Sequence, residues 1–148
     1  MKTIGKNPIL LVDDDPDCRL IIRDTIENVG VTEQIFEVSS GEEALAFARR
    51  EPPFENAPRA GLIYLDIEMP GLNGVEVLRI LKSDERTRDI PVVMMTAIDE
   101  EKEKRDSALY GANSYCVKPS NHNQLIETVI KATDYWLTIH QSPDPVKY

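Results

Sequence analysis

Five short apolar runs alternate along the chain with longer stretches whose apolar residues recur every three or four positions. Ile9-Leu10-Leu11-Val12, Ile35-Phe36-Glu37-Val38, Leu62-Ile63-Tyr64-Leu65, Val92-Val93-Met94-Met95 and Ser114-Tyr115-Cys116-Val117 read as strands, most of them apolar on both faces. Strands of that kind belong to a parallel sheet covered by helices on either side. The predicted order is strand 9–13, helix 16–29, strand 35–38, a helix to Arg50, strand 61–66, helix 74–84, strand 92–95, helix 99–110, strand 114–117 and helix 121–139. Such alternation predicts a doubly wound α/β domain.

Local punctuation supports these boundaries. Asp15 suits the cap of the first helix, Pro16 its first position, and Gly30 its end. Ser40 and Glu43 form a capping box for the second helix, and Asn73 caps the third. Glu51 to Ala60 contains three prolines and is too long for a tight connection, so it predicts a surface loop. The helix near 99–110 is so heavily charged that it reads as a solvated face, with an electrostatic docking surface as the alternative. In the last helix, Leu125/Val129/Ala132/Trp136 and Ile126/Ile130/Thr133/Leu137 make an apolar band wider than one sheet face needs. Core packing accounts for most of that band, and the excess points to a partner or self-association surface. Residues 1–141 read as one domain and 142–148 as a short extended tail, with no output domain.

Composition narrows the field. At 148 residues the chain can bury one core without staples. A net charge of -9 disfavours nucleic acid and anionic membranes, whose binding needs clustered Lys and Arg. Cys18 and Cys116 make no disulfide framework and read as small buried hydrophobes. With no signal peptide and no apolar run of membrane-spanning length, a cytoplasmic location is expected.

The chemistry gathers where open α/β sheets bind their ligands, at the C-terminal strand ends. Asp13-Asp14 follows the first strand, Asp66 the third, Thr96-Ala97 the fourth and Lys118-Pro119 the fifth. Two carboxylates about 4 Å apart repel by about 4 kcal/mol at an effective dielectric near 20, and a hard cation converts that repulsion into a site. Oxygen ligands with room for water suit Mg²⁺ better than zinc. Lys118 adds positive charge at the same edge, and the Thr96 hydroxyl with the Ala97 N–H can donate to a phosphoryl oxygen. Together these groups predict phosphoryl transfer to Asp66, by positioning and charge stabilisation.

Strand-end Asp13-Asp14, Asp66-x-x-Met69-Pro70-x-x-x-Gly74, Thr96-Ala97 and Lys118-Pro119, in this order, resemble the response-regulator receiver domain of two-component signalling over about residues 7–139. The resemblance implies a flavodoxin-like fold, a five-stranded parallel sheet of order 2-1-3-4-5 with five helices. It implies that Asp66 accepts phosphate from a histidine kinase's phosphohistidine or a phosphotransfer protein. Asp14, Asp66 and the Glu68 backbone carbonyl would bind Mg²⁺, with Asp13 acting directly or through water. Lys118 would contact the phosphoryl group, Thr96 would be the switch hydroxyl and Tyr115 the aromatic that moves with it. Ser120 departs from the family, where phenylalanine often follows Lys-Pro.

The loop Phe54 to Arg59 and the late Tyr135-Trp136-Leu137 also resemble small regulators paired with bacterial phytochromes. That subgroup implies a homodimer through the last helix and the C-terminal extension. Two rivals remain on residues alone. A haloacid-dehalogenase-type phosphatase would also use a strand-end aspartate with Mg²⁺, but it wants an aspartate where Glu68 stands. A flavodoxin needs a hydroxyl-rich phosphate loop where this chain has three acids.

Overall fold

The apolar runs form the sheet and the periodic stretches form the helices around it. The computed structural model describes residues 8–30, 34–97, 100–118 and 122–136, without the side chains of Val29 and His122. In chain order the elements are β1 (Ile9–Val12), α1 (Pro16–Val29), β2 (Ile35–Val38), α2 (Gly41–Arg49), β3 (Leu62–Asp66), α3 (Gly74–Ser83), β4 (Val92–Thr96), α4 (Glu101–Leu109), β5 (Ser114–Val117) and α5 (His122–Asp134). The strands pair in parallel in the order β2-β1-β3-β4-β5, the flavodoxin-like order. Asp99, Pro119, Ser120, Leu137 and the 142–148 tail lie outside the described residues.

Successive strand residues point to opposite faces, so each run feeds two cores. Leu10 and Val12 pack with Val38, Phe47, Leu65, Leu78 and Met94 under α2 and α3. Ile9 and Leu11 pack with Ile22, Ile26, Tyr64, Val93 and Val129 under α1 and α5. That is why the strands are apolar on both sides.

The caps are where the residues placed them. Asp15 accepts from the Asp17 N–H, Asn73 from Glu76 and Ser40 from Glu43. The capping box is extended: Glu43 takes the Ser39 N–H at 3.0 Å and the hydroxyls of Ser39 and Ser40. Boundaries shift by a residue or two. β1 stops at Val12, leaving Asp13 just beyond it, and Arg50 closes α2 in the left-handed conformation at φ 56°. The 51–60 loop is not wholly superficial, because Phe54 packs its ring on Phe47 and Ala60 is buried.

Two features of the sheet's flanks differ from the sequence reading. Thr133, grouped with an apolar stripe, is fully buried for a polar reason: its hydroxyl and the Tyr64 hydroxyl are 2.6 Å apart inside the core. Cys116 is only half buried, whereas Cys18 is buried. α4 behaves as its charges predict, with Ser107 its one buried residue. Exposed Ile130 and Tyr135 mark the outer side of α5 and the turn after it.

Candidate functional site

Each site residue is placed by where its strand ends. The parallel register sets Val12 beside Leu65 and Asp66 beside Met95, so β1 and β3 discharge their acids at the same edge. Asp13 and Asp66 are almost fully buried, at 4% and 5% exposure, while Asp14 is exposed. Carboxylate oxygens of these three lie within 4.8 Å of one another. β5 brings the cation: the Lys118 N–H bonds the Thr96 carbonyl, and its side chain runs inward to the acids. Its Nζ is 2.7 Å from Asp13 Oδ2 and 3.1 Å from Asp66 Oδ1.

The electrostatics follow from crowding acids into a dry cleft. Burial pushes the Asp66 carboxyl up to about 7; Lys118 pulls it down, and Asp13 and Glu68 push it up. Burial works against the Lys118 ammonium, yet its hydrogen bond to Asp13 and the charges of Asp13 and Asp66 hold it above the usual lysine range. The neighbouring Cys18 thiol is driven up to about 12, chiefly by burial, which keeps it a protonated spacer.

The three clustered carboxylates are an oxygen-only donor set around one ammonium, which fits a hard divalent cation. Asp13 retains lone pairs although Oδ1 accepts the Asp15 N–H at 2.9 Å and Oδ2 meets Lys118. A raised Asp66 has a thermodynamic consequence. Between the unfolded value near 3.8 and the folded value near 7, the native protein holds a proton that the unfolded chain has released. Stability from this group is therefore fully present at low pH and lost as pH rises towards 7. In the presence of a chelator, the urea midpoint is expected to decline between about pH 4 and about pH 7, and Asp66→Asn to flatten that decline. Equal slopes for both proteins would contradict the assignment.

The remaining sequence-predicted residues divide. Thr96 is fully buried at the end of β4, with exposed Ala97 after it. Tyr115 is half buried on β5, beside the α2–α3 core. Thr96 Oγ1, expected to serve a phosphoryl group, lies 2.8 and 2.9 Å from the two Glu68 carboxylate oxygens. The sequence reading gave Glu68 only a backbone role. It also passed over a brace behind the acids: the Arg19 guanidinium donates to the Asp13 carbonyl, and Glu37 on β2 pairs with both Arg19 and Arg23. The signal was present, since Arg19 and Arg23 are one helical turn apart.

Gly74 explains the glycine of the Asp66-x-x-Met-Pro motif. Its N–H bonds the Ile67 carbonyl at 3.0 Å, bringing the start of α3 against the strand end. A Cβ there would overlap the Asp66 carbonyl oxygen. The backbone that carries the acid thus allows no side chain at this point.

A five-stranded 2-1-3-4-5 sheet with an acidic, lysine-bearing pocket at its C-terminal edge defines the receiver class. Residues 9–130 match the response regulator receiver domain, and the chain belongs to that family of signalling proteins. It is 35% identical over 138 residues to the probable methanogenesis regulatory protein FilR2 of Methanothrix harundinacea, covering 93% of this chain and 88% of FilR2. It is 30% identical to the response regulator Rcp1 of Synechocystis, covering 87% of this chain and 88% of Rcp1. The phosphorylated cyanobacterial phytochrome response regulator RcpA superimposes with a TM-score of 0.89 at 32% identity, over 95% of this chain and all (100%) of RcpA. Rcp1 has also been solved in a Mn(2+)-bound form, with a TM-score of 0.87 at 28% identity, over 93% of this chain and 99% of Rcp1. The family match sets aside the phosphatase and flavodoxin readings. No described helix is long and apolar enough to cross a membrane.

Proposed function

We propose that Asp66 is the phosphoacceptor of this response regulator, receiving a phosphoryl group from the phosphohistidine of a sensor histidine kinase or a phosphotransfer protein. The placement of Lys118 Nζ against both Asp13 and Asp66, inside a cluster of three carboxylates, carries this reading. An Asp66 oxygen bonds phosphorus as the donor's phosphorus–nitrogen bond breaks, and the leaving imidazole nitrogen takes up a proton. Lys118 then turns its positive charge from Asp13 towards the phosphoryl oxygens, while Thr96 and the Ala97 N–H donate to them. Asp13, Asp14, Asp66 and the Glu68 backbone carbonyl would hold Mg²⁺, which supplies charge neutralisation for the phosphoryl group. Tyr115 follows Thr96 and changes the surface around β5.

The likeness to RcpA, a cyanobacterial phytochrome response regulator, supports a phytochrome-type kinase as the donor. Exposed Ile130 and Tyr135 support a homodimer through α5 and the residues that follow it. The domain is read as spanning 1–141, signalling through its own surface from the cytoplasm. One experiment tests the acceptor chemistry, the cation and the dimer together. With phosphoramidate and Mg²⁺ the protein is expected to gain one phosphoryl group by intact mass and to run as a dimer in light scattering. Excess chelator stops the labelling. Labelling that persists with chelator would contradict the cation assignment, and a monomer in both states would contradict the dimer.

A further inference from the structure

The Glu68 side chain has a partner that the phosphoacceptor chemistry does not call for. The register that sets Asp66 beside Met95 carries the loop after β3 past the end of β4, where Thr96 is fully buried. There both Glu68 carboxylate oxygens lie within 2.9 Å of the Thr96 hydroxyl. Thr96 has one O–H proton, and a hydroxyl donating to Glu68 is not donating to a group on Asp66. A hydrogen bond to a carboxylate is stronger than one between neutral groups, so this contact holds the hydroxyl firmly.

We propose that Glu68 is a latch on Thr96, a positioning residue whose carboxylate engages the hydroxyl until phosphoryl capture at Asp66 draws it away. The proposal rests on Asp66 being the phosphoacceptor. Once Thr96 leaves, the Glu68 carboxylate loses its donor, so the latch opposes phosphorylation.

The test measures the phosphorylation rate of the full chain with phosphoramidate at saturating Mg²⁺. E68A is expected to label faster than wild type by roughly tenfold, the size of one charge-assisted hydrogen bond. E68Q, which keeps an acceptor and loses the charge, gains less. In a T96A background, E68A changes the rate by less than about twofold, because the latch acts only through that hydroxyl. An unchanged or slower E68A overturns the proposal. So does equal acceleration in E68Q, or in the T96A background, since either assigns the effect to charge alone. Should E68A fail to fold, E68Q decides: acceleration that vanishes in the T96A background supports the latch, and none overturns it. A second readout needs no phosphodonor. The Thr96 methyl resonance is expected to shift between wild type and E68A, and an unmoved resonance overturns the latch. If wild type takes up no phosphoryl group, the Asp66 reading fails, and this resonance still reports on the Glu68 contact.

Discussion

Gly74→Ala is expected to damage the fold and the site at once. The added Cβ would overlap the Asp66 carbonyl oxygen and lie 2.8 Å from Ile67 Cα and 2.9 Å from the Asp66 carbonyl carbon. All three are backbone atoms at the end of a central strand, so no rotamer relieves the clash. Overpacking of this severity costs about 3 kcal/mol, which lowers Tm by roughly 10 °C in a domain of this size. What does fold would carry Asp66 on a displaced strand end, and phosphotransfer should fall by more than about tenfold. Gly30→Ala supplies the contrast. Its Cβ would meet nothing within 4 Å among the described residues, and the penalty there is φ at +75°. That loss is about 1 kcal/mol, with phosphorylation unchanged. Thermal unfolding of both variants, with labelling rates, checks the pair; equal effects would mean that α3 does not press on the Asp66 backbone.

The second large effect is expected from Lys118→Ala. Its ammonium is the cation that meets both buried carboxylates, and its side chain is 15% exposed. Without it, Asp66 loses the charge that pulls its carboxyl down, and the carboxyl rises above its present value near 7. The sign follows from linkage: in chelator, the fall of stability with rising pH should extend to higher pH than in wild type. Transfer suffers more than stability, because the positive charge facing the phosphoryl oxygens is gone. Removing one such preorganised group slows reaction by roughly 10²-fold or more. Lys118→Arg keeps the charge but cannot fit the same short contacts, so partial activity is expected. A wild-type rate in Lys118→Ala at saturating Mg²⁺ would remove the lysine from the chemistry.

Much of this was legible in the chain because the informative residues are local. Apolar runs ending on Asp13, Asp66, Thr96 and Lys118 specify both strands and their exits, and a parallel sheet has one edge where such exits meet. Caps at Asp15, Ser40 and Asn73 depend on neighbours three or four residues away, so they too were readable. Contacts between distant segments were not. Nothing near Thr133 in sequence announces Tyr64, and nothing near Thr96 announces the Glu68 carboxylate, since the first pair is joined only by the packing of α5 on β3 and the second only by the register of β3 with β4. The brace from Glu37 to Arg19 is of the same kind: the helical spacing of the arginines was visible, but their partner on β2 needed the fold.

The same distinction explains the acceptor pocket's energetics. Sequence gives the number of carboxylates, whereas the 4–5% exposure of Asp13 and Asp66 and the 2.7 and 3.1 Å approach of Lys118 set the charge balance. That balance makes Asp66 reluctant to ionise in the metal-free protein and ready to do so beside a cation. The phosphoacceptor role proposed for Asp66 needs the ionised form, because only the carboxylate attacks phosphorus.

Intact-mass measurement on wild type and Asp66→Asn, incubated with phosphoramidate and Mg²⁺, bears most directly on the central claim. Wild type should gain the mass of one phosphoryl group and the asparagine variant none. Equal labelling of the two proteins would show that the pocket holding Asp13, Asp66 and Lys118 does not capture phosphorus through Asp66.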